Sequence, residues 1–281
     1  MDVNYKPYGE NFERPLSELT MDDVTLLIDL LYGYHTENVA NYLIKVLHDN
    51  SAETWTDTEG IERAAYRHLF HANSVKTAVD YIRGRELYSR EFGVRRGIQT
   101  PQRSDELDRE LKIFNDIFFD NMDIPYVCNT NTSAYGPIMF VFDPEIIRDR
   151  IVRVTKVNPV KFGADHNESR FIDLYFCDID EIRDAIKETI RETGSSVGFV
   201  NDTMHHTTIF NTEELPFGDH LKAIYIEKYD ETSGRENEVA DLIRSELDAV
   251  GLNSVEIAIR PNKPVNFSGY ATDREVLWEM P

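Results

Sequence analysis

A chain of 281 residues, 41% of them hydrophobic, can bury a sizeable core in one large domain or two small ones, which excludes disorder as its resting state. Its 51 acidic against 30 basic residues leave a formal net charge of -21, which in dilute salt would exclude nucleic acid and anionic membranes as partners. No apolar run approaches the roughly 18 residues of a membrane span, and no charged, apolar and small-residue succession marks an export signal.

The basic residues are unevenly chosen, since Lys fills ten positions, half as many as Arg. Excess carboxylate with scarce Lys in a globular chain resembles the proteins of extreme halophiles, and the expected source is a haloarchaeon or one of its viruses. At molar ionic strength the Debye length is about 3 Å, so net charge ceases to select partners. Cys128 and Cys177 lie far apart without metal-type spacing and read as small buried residues in a reducing compartment. The expected location is a high-salt cytosol, or a virion if the chain is viral, with no membrane partner.

In chain order, residues 1–19 are polar and Pro-bearing and read as an extended arm. A helix is expected from Thr20 to about Tyr34, with Val24, Leu27, Ile28 and Leu31 on one face, and a second from Thr36 with Val39, Tyr42, Leu43, Val46 and Leu47. A third helical segment, about Thr58 to Arg67, completes a helical N-terminal unit over residues 1–66.

Arg67 to Arg90, RHLFHANSVKTAVDYIRGRELYSR, is the stretch that suggests a site. Leu69 and Phe70 bury in a strand, His71 stands at its end, and Ser74 caps a helix carrying Val75, Ala78, Val79 and Ile82, which Gly84 stops. The polar segment after Arg90 reads as a loop with Gly97 and Pro101, and Arg95, Arg96, Gln99, Gln102 and Arg103 make it a substrate loop or a solvated excursion. Asp105 to Phe114 reads as a short helix.

From there the pattern turns to β. Strands are expected at Asp116–Phe119, Ile138–Phe142, Ile151–Val157, Phe171–Cys177, Val197–Val200, Thr207–Phe210 and Leu221–Glu227. Asp143-Pro144-Glu145 opens a short helix, and Asp178 or Asp180 a longer one to Glu192. A helix over about Arg235 to Val250, a strand at Val255–Ile259 and a tail with Tyr270 and Trp278 follow. Strands outnumber helices without strict alternation, so the expected class is α+β: a helical N-terminal unit, a mixed or antiparallel β-sheet core with flanking helices over 67–228, and a helix-strand extension over 229–281.

Three pieces within residues 67–228 resemble the ADP-ribosyltransferase superfamily, most nearly the DarT-type toxins. Leu69-Phe70-His71 with the helix Ser74–Arg83 and Leu87-Tyr88-Ser89-Arg90 is similar to the family's opening strand, His, helix and Ser-Arg element. Tyr135-Gly136-Pro137 running into Ile138–Phe142 looks like its central strand. Thr207 to Phe217 with Leu221–Ile226 is similar to its last strand pair. The resemblance implies NAD as cofactor, His71 on the NAD ribose, Tyr135 at the nicotinamide pocket, and Ser89, Arg90 and Arg95 or Arg96 toward the pyrophosphate. Such chemistry clamps a dinucleotide and sets a carboxylate against positive charge developing at the sugar carbon. Where the family carries its catalytic Glu, this chain reads Met204-His205-His206-Thr207-Thr208. The nearest acids are Asp202 before it and Glu213-Glu214 after it, and unless Glu213, Glu214 or another acid supplies the carboxylate the reaction is crippled. The resemblance further implies host–virus or toxin–antitoxin conflict as the setting and a protein or nucleic-acid acceptor.

Other constellations are less specific. His205, His206, Asp219 and His220 offer metal-ligand types without an established spacing, and exposed loop histidines are the plainer reading, so no metal is expected. Asp116, Asp120 and Asp123 offer carboxylates in a chain already rich in them. No P-loop, Rossmann fingerprint, Gly-x-Ser-x-Gly or His-Glu-x-x-His occurs. The competing function is a non-enzymatic interaction or virion-assembly protein of a haloarchaeal virus, which would form homo-oligomers or bind a virion partner through its arm and tail.

Overall fold

The computed structural model describes residues 40, 41, 44, 45, 54–56, 62–64, 68–98, 105–110, 113–120, 123, 135–150, 152–155, 181, 184, 206–209, 212–227, 234–260, 280 and 281. The architecture is α+β. Strands β1 (Thr54–Thr56) and β2 (Glu62–Ala64) pair antiparallel with each other. Seven strands form the main sheet: β3 (Leu69–Asn73), β5 (Ile117–Asp120), β6 (Ile138–Phe142), β7 (Val152–Val154), β8 (His206–Ile209), β10 (Leu221–Ile226) and β11 (Glu256–Ile259). Their order across the sheet is β11-β10-β6-β3-β5-β8-β7. Among the described strands only β10 and β11 run parallel, and helix α4 (Arg235–Ala249) lies between them in the chain, as a parallel pair needs a crossover. A short pair, β4 (Glu86–Tyr88) with β9 (Glu214–Pro216), stands apart from this sheet.

The centre of the sheet is β6, whose five residues Ile138-Met139-Phe140-Val141-Phe142 are all buried. A strand apolar on both faces must be covered on both. Its Ile138, Phe140 and Phe142 join the larger cluster with Leu69, while Met139 and Val141 join a smaller one with Phe70, Ala223, Tyr225 and Ala258. In β10 a register shift between Leu221 and Ala223 lets Leu221 and Ile224, an odd number of residues apart, both reach the larger cluster.

Helix α1 (Val75–Gly84) closes the larger cluster. The Ser74 side chain accepts from the Thr77 backbone N–H, and Val75, Ala78, Val79, Tyr81 and Ile82 are buried. Gly84 is not the stop signal its position suggests: it is the last helical residue, and Arg85 takes the left-handed turn at φ 58°. Gly84 is needed for room, because a Cβ there would lie 2.2 Å from the Tyr88 hydroxyl oxygen.

Several boundaries differ from expectation. The helix over Thr58–Arg67 is contradicted, since Glu62–Ala64 is the strand β2. Glu, Arg and Ala favour helix in isolation, but pairing with Thr54-Trp55-Thr56 overrides that preference. The loop expected after Arg90 begins with helix α2 (Arg90–Arg95), and the helix opened by Asp105 is α3 (Asp105–Glu110), ending before Ile113 and Phe114, which are buried. Asp143 caps as expected and Pro144 follows it, but the turn over Pro144–Ile147 is 3-10. Strands β5, β10 and β11 shift or shorten by one residue at their ends, and β8 begins one residue early, at His206. Ala40, Asn41, Ile44 and Lys45 are helical, as are Glu181 and Asp184. The first helix, the strands at Phe171–Cys177 and Val197–Val200, Cys128, Cys177, His205, Tyr270 and Trp278 lie outside the described residues.

Candidate functional site

Alternation along β3 puts Leu69, His71 and Asn73 on one face, and antiparallel register sets them opposite Phe142, Phe140 and Ile138. His71 therefore stands on the α1 side of the sheet. Its ring stacks on Tyr81 with centroids 6.0 Å apart and tilts against Phe119 at 5.9 Å. On its other flank β3 meets β5 at a single register pair, Phe70 with Asp120. Beyond that pair the imidazole does the bridging, with Nδ1 2.6 Å from the Phe118 carbonyl oxygen.

A carbonyl only accepts, so Nδ1 carries the hydrogen and donates it. Burial is the largest influence on the ring and lowers its pKa, against the upward pull of Phe118 and Asp120, while Arg90 lowers it further. The neutral tautomer leaves a lone pair on Nε2. That atom is buried and has no hydrogen-bond partner. Two residues on, Asn73 is only 6% exposed and its Nδ2 is likewise without a partner. An unmade hydrogen bond at a buried polar atom costs about 1–3 kcal/mol, so an acceptor and a donor left open on one strand face require an explanation.

Tyr135 reaches this strand end through Gly136. The glycine has φ +145°, and a Cβ on it would lie 2.1 Å from Asn73 O, 2.3 Å from Asn73 C and 2.5 Å from Ser74 N. Backbone thus packs on backbone, and no side chain fits between. Tyr135 is 36% exposed. Burial first, then the charges of Asp108, Asp120 and Asp105, raise its pKa, and Arg90 works against them.

Ser89 is fully buried. Its side chain accepts from Phe92 N–H and donates to Asn115 Oδ1, which starts α2 and sets Arg90 as its first residue. Arg90 pairs with Asp105, both side chains largely covered. The structure thus brings His71, Arg90 and Tyr135 into one electrostatic neighbourhood with Asp120 and Asp105. Arg95 and Glu213 instead form a half-exposed pair at 2.5 Å, and Arg96 lies 3.7 Å from Glu214 and over the Phe92 ring. The carboxylates acting on His71 and Tyr135 are the aspartates.

The other acids have structural partners. Asp116 is held by Arg153 at 2.5 Å and Asp123 by Arg260 at 2.6 Å, both buried. Among the described residues no three His, Cys, Asp or Glu side chains stand close enough to hold a metal ion. Sequence reading missed Asn73 and Asp105. Period-two spacing from His71 could have found Asn73, but nothing local marks Asp105, whose partner is fifteen residues away.

No family model matches the chain, and no curated protein matches it. Among solved structures it is similar to the Thermus sp. 2.9 DarT in complex with ADP-ribosylated ssDNA, at 11% identity and a TM-score of 0.43, over 74% of this chain and 97% of that one. The same DarT with NAD+ gives 11% identity and a TM-score of 0.40, over 69% of this chain and 94% of that one. With carba-NAD+ it gives 11% and 0.38, over 69% and 95%. The likeness is to the group the sequence resembles, and at these scores it carries nothing about activity.

Proposed function

We propose that the chain is an NAD-dependent ADP-ribosyltransferase whose dinucleotide binds at the end of β3. The observation that carries this reading is the pair of open polar atoms on one strand face, His71 Nε2 and Asn73 Nδ2. A ribose hydroxyl can donate to the first, and its oxygen can accept from the second. The neutral ring suits that task, since a protonated imidazole would offer a donor in place of the acceptor. Tyr135, partly exposed and fixed by Gly136, supplies an aromatic face for the nicotinamide ring. Arg90, with Arg95 at the end of α2 or Arg96 at its C-cap, supplies cations for the pyrophosphate, and Ser89 aims Arg90 by capping that helix.

When bound, NAD supplies an activated sugar carbon with nicotinamide as its leaving group. The protein's part is to hold the ribose by His71 and Asn73 and keep the ring against Tyr135. The acceptor is a protein or a nucleic acid, and the working medium is concentrated salt, where a net charge of -21 no longer repels a polyanion. Conflict between a haloarchaeon and its virus is the setting that the sequence resemblance offers.

The test is transfer itself. The purified protein is incubated in about molar KCl with NAD and either single-stranded DNA or a haloarchaeal protein extract, and products are read by mass. ADP-ribose added to either acceptor, and lost with His71→Ala, supports the function. Intact NAD and unmodified acceptors after incubation with folded protein would remove it.

A further inference from the structure

His71 Nδ1 donates to the Phe118 carbonyl oxygen, which fixes one atom of the imidazole and not its plane. A hydrogen bond tolerates tilting of the ring, so the direction of Nε2, the acceptor offered to the ribose, depends on what packs against the ring. We infer that Tyr81 is the positioning residue of this site, holding the imidazole in the plane that presents Nε2 to the ribose, a role that rests on the NAD reading above and deepens it.

Two aromatic rings bound the imidazole. Phe119 tilts against it at 60° with centroids 5.9 Å apart, and Tyr81 stacks on it at 30° and 6.0 Å. Phe119 belongs to β5, the strand that also supplies the Phe118 carbonyl, so it adds no second element to the hold. Tyr81 comes from α1 and does add one. Both rings are fully buried, and a rotated imidazole would have to displace close-packed neighbours.

Apolar packing alone does not call for a tyrosine. A phenylalanine would fill the same core without a hydroxyl, whose burial is unfavourable unless it is hydrogen-bonded. The Tyr81 hydroxyl donates to the Tyr88 carbonyl oxygen at 3.1 Å, in a buried contact. That carbonyl and the Ser89 N–H belong to one planar peptide unit, and the Ser89 N–H donates to Glu213 O at 2.9 Å. The unit is thus held at its oxygen by Tyr81 and at its nitrogen by the chain entering β9. The side chains that follow are Ser89, which caps α2, and Arg90, the first residue of that helix.

Tyr81 is braced in turn. The Tyr88 ring meets it edge-on at 5.3 Å and 69°, and Phe140, which stands opposite His71 in register, tilts against it at 6.3 Å. His71 is therefore aimed from the peptide that leads to Arg90. The ribose and pyrophosphate ends of the site share one reference point.

The test compares wild type, Tyr81→Leu and Tyr81→Phe in about molar KCl. The leucine variant removes the ring, and the phenylalanine variant removes only the hydroxyl. The His71 ring nitrogens are read by NMR in NAD-free protein, and affinities for NAD and for ADP by calorimetry. ADP carries the pyrophosphate but lacks the sugar that His71 holds. In the wild type we expect one His71 tautomer, with the hydrogen on Nδ1, and in Y81L a mixture of tautomers, with a smaller move the same way in Y81F. NAD affinity should fall about 3–10-fold in Y81L, the worth of one neutral hydrogen bond, and about 2–3-fold in Y81F, while ADP affinity is unchanged.

NAD and ADP affinities that fall together would mean a merely structural role and overturn the assignment. So would NAD affinity unchanged in both variants, or His71 signals that do not move. Should Y81L not fold, Y81F decides by the same three readings. A folded wild type that binds no NAD would remove the site and Tyr81's role together, whereas NAD bound alike by wild type and both variants would remove Tyr81's role alone.

Discussion

Replacing Gly136 with Ala should destabilise the protein and misplace Tyr135. The added Cβ would stand 2.1 Å from Asn73 O, where ordinary contact begins at 3.4 Å, so the two must part by about 1.3 Å. The three nearest atoms are all backbone, of Asn73 and of Ser74 at the N-cap of α1, so relief cannot come from a side chain swinging aside there. The φ of +145° adds strain of about 1–3 kcal/mol, and forced overpacking adds a similar amount, giving about 2–6 kcal/mol together. Gly97→Ala is the matched comparison, since φ is +70° there and nothing lies within 4 Å. It should cost only the left-handed backbone term, about 1–2 kcal/mol. Urea titrations of both variants in the same KCl buffer give the difference, read as a fall in midpoint at unchanged slope. A loss in G136A no larger than in G97A would refute the close packing of Gly136 on β3.

Other consequences follow from the charges. Arg260→Met leaves Asp123 and Glu227 buried without their cation and should cost about 3–5 kcal/mol by urea titration, with a loss below about 1 kcal/mol contradicting this buried pairing. The Arg83 and Glu246 pair joins α1 to α4 with the arginine half exposed, so a double-mutant cycle should give no more than about 1 kcal/mol, shrinking as KCl rises. Arg83 lowers the Glu246 pKa, so R83A should raise it, and the pair's contribution should fade as pH drops through the carboxylate range. The folded pKa of His71 lies below 6.5, so the unfolded chain takes up its proton first and stability falls as pH drops through 6.5 toward the folded value. His71→Gln should flatten that slope, and an unchanged slope would mean the ring is not buried neutral.

What was legible in the sequence was local. Apolar spacing and the Ser74 cap gave β3, His71 and α1, because those signals are set by neighbours three and four residues away. Helix α2 was hidden because six residues burying only Phe92 and Gly93 leave no periodic stripe, and the Ser89 cap stood alone. Gly84 was misread because a helix stop and a close approach use the same residue type, and only the later Tyr88 distinguishes them. For the carboxylate, proximity in sequence pointed to Glu213 and Glu214, which the structure pairs with Arg95 and Arg96, while His71 is tied to the Phe118 carbonyl 47 residues away. Pairings of that range, like Arg260 with Asp123 across 137 residues, leave no local trace.

The most direct measurement is NAD binding by calorimetry in about molar KCl, comparing wild type with His71→Ala, both checked for fold by circular dichroism. Saturable one-to-one binding by the wild type, lost in the variant, is the predicted result, because His71 Nε2 is the open acceptor on which the ribose is placed. No heat of binding from a folded wild type, or equal binding by the variant, would contradict it.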